Sequence, residues 1–205
     1  TWELFTTWAA LAIVWMAVLR SDWLWALWLL IAGAAIGSWS GQALFNPLAN
    51  LLDWRSSRNL GTPLLWLAVF VWPLLLAWLG GVRDGHERPA RPVGSMRFAA
   101  LMAITAWSTH ALLFLFWHKA DYAGFAMNAA LVVLAGWVGW RSPWRDLVVL
   151  GLALLAINVL GFGLLGRMLF LEARLKSGGL LLFSACAAVS VGLSARWLFQ
   201  QQRQQ

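Results

Sequence analysis

The chain has 205 residues, of which 61% are hydrophobic and 11% charged, and it carries 17 tryptophans. The charged share is about half that of an ordinary soluble domain, and a mean hydropathy of +0.71 implies more apolar surface than a water-soluble core of this size hides. A net charge of +7 would suit nucleic acid, but the basic residues sit in short gaps between apolar runs, the pattern of membrane topology determinants, so nucleic acid is set aside as a partner.

Crossing a bilayer takes about 20 apolar residues at about 1.5 Å rise per residue, and seven segments meet that length. The first runs from Trp2 to Leu19 and the second from Asp22 to Phe45, joined by a tight Arg20-Ser21-Asp22 turn. The third spans Pro63 to Val82; its first proline suits an opening helical turn, and Pro73 predicts a kink after Trp72. The fourth spans Phe98 to His118, the fifth Gly124 to Trp140, the sixth Leu147 to Gly166 and the seventh Gly178 to Phe199. The fold class expected is all-α, a polytopic integral membrane helical bundle of about seven transmembrane helices in one domain over residues 1–205. Six spans remain if the first segment lies along the surface.

Between the spans, Asn46 to Thr62 sets Leu48, Leu51, Leu52 and Trp54 at helical spacing beside Asp53, Arg55 and Arg58. That pattern predicts a short helix in the membrane interface, and Met168 to Lys176 reads the same way. Arg83 to Arg97, with Pro89 and Pro92, reads as an irregular loop able to meet anionic lipid headgroups. Nine lysines and arginines fall on the side of Arg20, Arg83, Arg141 and Arg196, and six on the side of Arg55, Lys119 and Arg167. The positive-inside rule places the nine in the cytoplasm of a bacterial inner membrane, with the N-terminus outside and the C-terminus inside.

Three sets of residues carry the functional expectations. Gly33, Gly37 and Gly41 lie four apart on the second span and form a groove for close helix packing, either within the bundle or against another subunit. Trp107 and His110 on the fourth span, Asn158 on the sixth and Ser190 on the seventh fall near one depth. They read as a midplane pocket for a lipid or a flat lipophilic ligand, or as interhelical hydrogen bonds that fix packing. His118, Lys119, Asp121 and Tyr122 form a compact polar cluster at the end of the fourth span, with Asn128 about one turn into the next. They read as an acid–base group for headgroup chemistry or as a snorkelling interfacial turn.

Several chemistries are not expected. The seventh span has no lysine for a retinal Schiff base, and the single cysteine, Cys186, makes no thiol pair. His110 and His118 share one helix about 12 Å apart, which does not suit bis-histidine haem, and no cluster has metal-ligand spacing. No carboxylate falls mid-span, which weakens an ion-coupled transporter. No cofactor or metal is expected, and catalytic residues are not assigned. The leading functional reading is a non-catalytic subunit or scaffold of a larger inner-membrane assembly, in contact with membrane lipids and with a protein partner or a second copy. The alternatives are a transmembrane sensor module feeding a C-terminal output domain, and a small transporter or lipid-modifying enzyme. The tryptophans divide accordingly: Trp2, Trp23, Trp54, Trp78, Trp117, Trp140, Trp144 and Trp197 fall near span ends, as interfacial anchors do. Trp28, Trp39, Trp72, Trp107 and Trp137 fall deeper, where a ligand or a partner helix is expected.

Overall fold

The computed structural model describes residues 2–19, 22–39, 61–83, 93–116, 121–141, 146–172 and 177–202. Among these residues there are seven helices and no strands: α1 (Trp2–Leu19), α2 (Asp22–Trp39), α3 (Gly61–Arg83), α4 (Val93–Phe116), α5 (Tyr122–Trp140), α6 (Leu147–Gly166) and α7 (Ser177–Gln202). Three are long and apolar enough to cross a membrane, over Gly94–Phe116, Tyr122–Trp140 and Leu147–Leu171. Apolar residues ring these three helices and form no single stripe, which is the composition of a helix without a water-facing side.

The boundaries follow the apolar runs closely, with two differences. Helix α4 begins at Val93, before the expected Phe98, because Ser95 and Met96 are buried core residues while Arg97 is exposed. An arginine within a first turn does not end a helix whose stem can lie along apolar surface. Helix α6 runs directly into a π turn, Arg167–Glu172, where a separate interfacial helix from Met168 was expected. Helix α3 continues through Pro73 to Arg83, although proline removes the N–H that would otherwise meet the Val69 carbonyl. The expected interfacial helix at 46–60 and the loop at 84–92 lie outside the described residues, as does the end of the second span beyond Trp39.

The chain divides into two compact units, Thr1–Ala103 and Ile104–Gln205, the boundary falling inside α4. In the first, α1 packs along α2, and α3 packs on α2. Leu29, Trp66, Val69 and Phe70 form its core with Ala99, Ala100 and Ala103 from the first half of α4. Gly33 is the point of closest approach: the Met102 methyl and the Trp66 ring occupy the space that a side chain there would need.

In the second unit α5 and α6 pack along each other, and α7 lies against α6. The α5–α6 seam is narrow because two glycines face it. A Cβ at Gly136 would stand 3.0 Å from that of Ala153, and one at Gly139 would stand 3.0 Å from the Val149 side chain. The seam is closed at one end by Asp146, whose N–H donates to the Gly139 carbonyl at 2.9 Å while its carboxylate caps α6 through Val148 and Val149. The second half of α4 is tied in by Arg167, whose guanidinium donates to the Leu115 carbonyl, and by Gly163, which lies beneath Leu112, Leu115 and Phe116.

Filling the seam should cost stability. Gly136→Leu or Gly139→Leu should lower the stability of the protein in detergent by about 1–3 kcal/mol, the usual cost of overpacking. Gly192→Leu, where nothing lies within 4 Å of an added Cβ, should leave the thermal melting midpoint unchanged.

Candidate functional site

A polar side chain on a helix in apolar surroundings must find its hydrogen bond without water, and the carbonyl one turn back is the nearest acceptor. This chain uses that bond repeatedly. Ser108 donates to the Ile104 carbonyl at 2.7 Å, Thr109 to Thr105 at 2.9 Å, and the Asn128 amide to Gly124 at 2.9 Å. His110 does the same through Nδ1, 2.7 Å from the Ala106 carbonyl, which places a proton on that nitrogen. His110 and the adjacent Trp107 are both buried.

Asn158 goes further and reaches another helix. Its Nδ2 donates to the Leu154 carbonyl at 2.8 Å and to Ser194 Oγ at 3.0 Å, while its Oδ1 accepts from Ser190 Oγ at 2.5 Å. Ser190 and Ser194 are one turn apart, so a single amide clamps two successive turns of α7 onto α6. The structure therefore brings together Asn158 and Ser190 from the midplane set and adds Ser194. The sequence signal for Ser194 was its i+4 spacing from Ser190. Trp107 and His110 take no part in this clamp: all of the hydrogen bonds of Asn158 go to α6 and α7.

Within the interfacial cluster, His118 and Lys119 lie outside the described residues. Asp121 is the N-cap of α5, its Oδ1 accepting from the backbone N–H groups of Ala123 at 3.1 Å and Gly124 at 3.0 Å. Tyr122 is exposed. Asn128 is fully buried, and its Oδ1 has no hydrogen-bond partner among the described residues. In the glycine set, Gly33 and Gly37 are buried and Gly41 lies outside the described residues. Cys186 is exposed on α7. Among the described residues no group of three His, Cys, Asp or Glu side chains is placed to hold a metal ion.

A cavity lies in the first unit. It is an apolar cleft of about 310 Å³ between α1, α2 and α3, lined by Thr6 and Ala9, by Trp28 and Ala35, and by Ala68 and Trp72, with Val69 beside them. Of the lining residues, Trp28 and Trp72 pack on each other, their ring centroids 5.5 Å apart and their planes inclined by 30°. Trp25 packs edge-on to Trp28 at 6.0 Å and reaches Trp72 at 6.4 Å. The Trp28 Nε1–H is committed to the Ala9 carbonyl at 2.8 Å, which pins α1 to α2. Trp28 and Trp72 were singled out by depth in the sequence, but the alanine floor was not, because alanines at helical spacing are indistinguishable from ordinary packing. His110 is not among the lining residues.

The chain matches no protein-family model, and neither the curated proteins nor the solved structures include one similar to it.

Two substitutions separate structural from chemical roles. Asp121→Ala should cost about 1 kcal/mol through loss of the cap, while Asp121→Asn, an equally good cap, should behave as wild type. An acid–base role would instead make the asparagine variant as defective in a cellular assay as the alanine one. At the clamp, Asn158→Leu should cost about 1 kcal/mol in detergent unfolding, as interhelical hydrogen bonds in membrane proteins average about 0.6 kcal/mol each. Adding Ser190→Ala and Ser194→Ala to it should cost nothing further, a non-additivity that a double-mutant cycle reads directly.

Proposed function

We propose that the chain is a seven-helix integral membrane subunit that works through helix packing and lipid contact and has no catalytic centre of its own. The observation that carries this reading is the outward apolar surface of its best candidate spans. Only 28% of the most apolar window in Tyr122–Trp140, and likewise in Leu147–Leu171, is buried within the chain. Such helices require either lipid or another protein on their remaining faces. Leu155 of α6, Val133 of α5 and Val189 and Leu193 of α7 are among the large side chains left outward.

The shorter apolar helices Leu24–Ser38, Gly61–Leu75 and Leu181–Trp197 belong to the same bundle in this reading. Arginine placement supports an inner-membrane orientation with the C-terminus in the cytoplasm. At that side Arg141 sits 4.4 Å over the Trp137 ring and Trp140 packs edge-on to Trp197 at 6.0 Å, a cation and indoles grouped as at a headgroup boundary.

The test has two stages. Membranes washed with alkaline carbonate should retain the protein, and extraction in mild detergent should give a complex heavier than one 22.8 kDa chain with its micelle, which a harsh detergent dissociates. Release by carbonate, or a monodisperse monomer in mild detergent, would overturn the proposal.

A further inference from the structure

One end of the second unit gathers cations and indoles from two helices. Arg141 closes α5, its backbone N–H donating to the Trp137 and Val138 carbonyls at 3.1 and 3.2 Å. That closure sets its side chain one turn beyond Trp137, and the guanidinium lies 4.4 Å over the indole ring. Trp140, three residues from Trp137, packs edge-on to Trp197 of α7 at 6.0 Å. The contact brings Arg196, the neighbour of Trp197, to the same end of the unit as Arg141. Both arginines are exposed, and Trp137 and Trp140 are about half exposed.

The positive charge at this end is what selects an occupant. Among the described residues no acidic side chain pairs with either guanidinium. Asp146, the nearest carboxylate along the chain, caps α6 through the Val148 and Val149 N–H groups. Contact with the Trp137 π face holds the Arg141 cation without engaging an oxygen acceptor. A guanidinium so held presents a planar fork of N–H donors, the geometry that meets two oxygens of one phosphate. Exposed indoles belong at the depth of headgroups and upper acyl carbons. Two cations at that depth favour a headgroup of net negative charge over a zwitterionic one, whose ammonium they repel.

We infer that this end of the second unit binds the phosphate of an anionic phospholipid. Arg141 and Arg196 meet the headgroup charge, and the indoles of Trp137, Trp140 and Trp197 pack on the glycerol and acyl carbons. Trp137 is a positioning residue, which carries no charge and holds Arg141 in place. The inference rests on the membrane-embedded reading above and names the lipid class that reading leaves open.

Native mass spectrometry of the purified full chain in mild detergent, titrated with phosphatidylglycerol and with phosphatidylcholine of matched acyl chains, tests this. The wild type should retain phosphatidylglycerol preferentially. Arg141→Gln and Arg196→Gln should each weaken that retention about fivefold, the attraction of one basic residue for an anionic lipid surface. Trp137→Leu keeps both charges and should still lose about twofold to fivefold, the worth of an exposed cation–π contact. Arg83→Gln combined with Arg97→Gln removes two charges from the same expected side of the membrane and should change nothing. Equal retention of the two lipids, an equal loss in that control pair, full retention by Trp137→Leu, or displacement of phosphatidylglycerol by inorganic phosphate alone would overturn the inference. Release of the protein by alkaline carbonate would overturn the membrane reading itself, whereas a carbonate-resistant protein indifferent to phosphatidylglycerol would overturn this inference alone.

Discussion

The constraint on which this structure depends is that polar groups on helices without a water-facing side must be satisfied inside the protein. Backbone groups meet it within helices, and the described residues contain no strands. Side chains meet it in three ways. Ser108, Thr109 and His110 bond back to carbonyls of their own helix. Asp121 and Asp146 sit just outside helices and spend their carboxylates on the first free N–H groups. Asn158 and Arg167 reach other helices and thereby become the contacts that fix which helices meet. Dispersion between smooth apolar surfaces discriminates poorly among packings, so a few directional bonds decide the arrangement.

Close packing supplies what those bonds leave undetermined. Dispersion between two leucine-rich helices grows as their backbones approach, so the closest contacts contribute most. Gly136 and Gly139 permit that approach along α5 and α6, and Gly33 admits Met102 and Trp66 in the first unit. Where glycines face open space, as at Gly151 and Gly192, no such contact exists. The same residue type therefore carries opposite meanings along one chain, and only the neighbouring surface distinguishes them.

That distinction explains which parts were legible in the sequence. Helix lengths were, because an apolar run of about 20 residues has few other uses; each of the seven expected segments corresponds to a described helix. The depth of polar residues was also legible, since rise per residue is fixed, and it put Asn158 level with Ser190. Facing was not. Apolar residues surround α4, α5 and α6 on all sides, so no stripe records which side turns inward, and His110 could be placed at a depth but not on a face. The start of α4 was misplaced for a related reason: Arg97 lowered the local hydropathy without interrupting the helix. Nor did the sequence indicate that Trp137 is 48% exposed with Arg141 over its ring.

The tryptophans show the same logic at the level of single atoms. An indole brings large apolar faces and one obligatory donor, so its position is set by where that donor can be satisfied. Near a helix end an exposed indole needs no acceptor from the protein, and Trp137 and Trp140 are exposed near the end of α5. Deeper in a helix the protein must provide an acceptor, as the Ala9 carbonyl does for Trp28. Trp66 and Trp72 break that rule, each holding a buried Nε1–H with no acceptor among the described residues. Trp66 lies in the core, where the packing of the whole indole offsets the unmet donor and a smaller phenylalanine would leave a cavity. Trp72 differs in that its ring borders a cleft while its Nε1 is shielded from it.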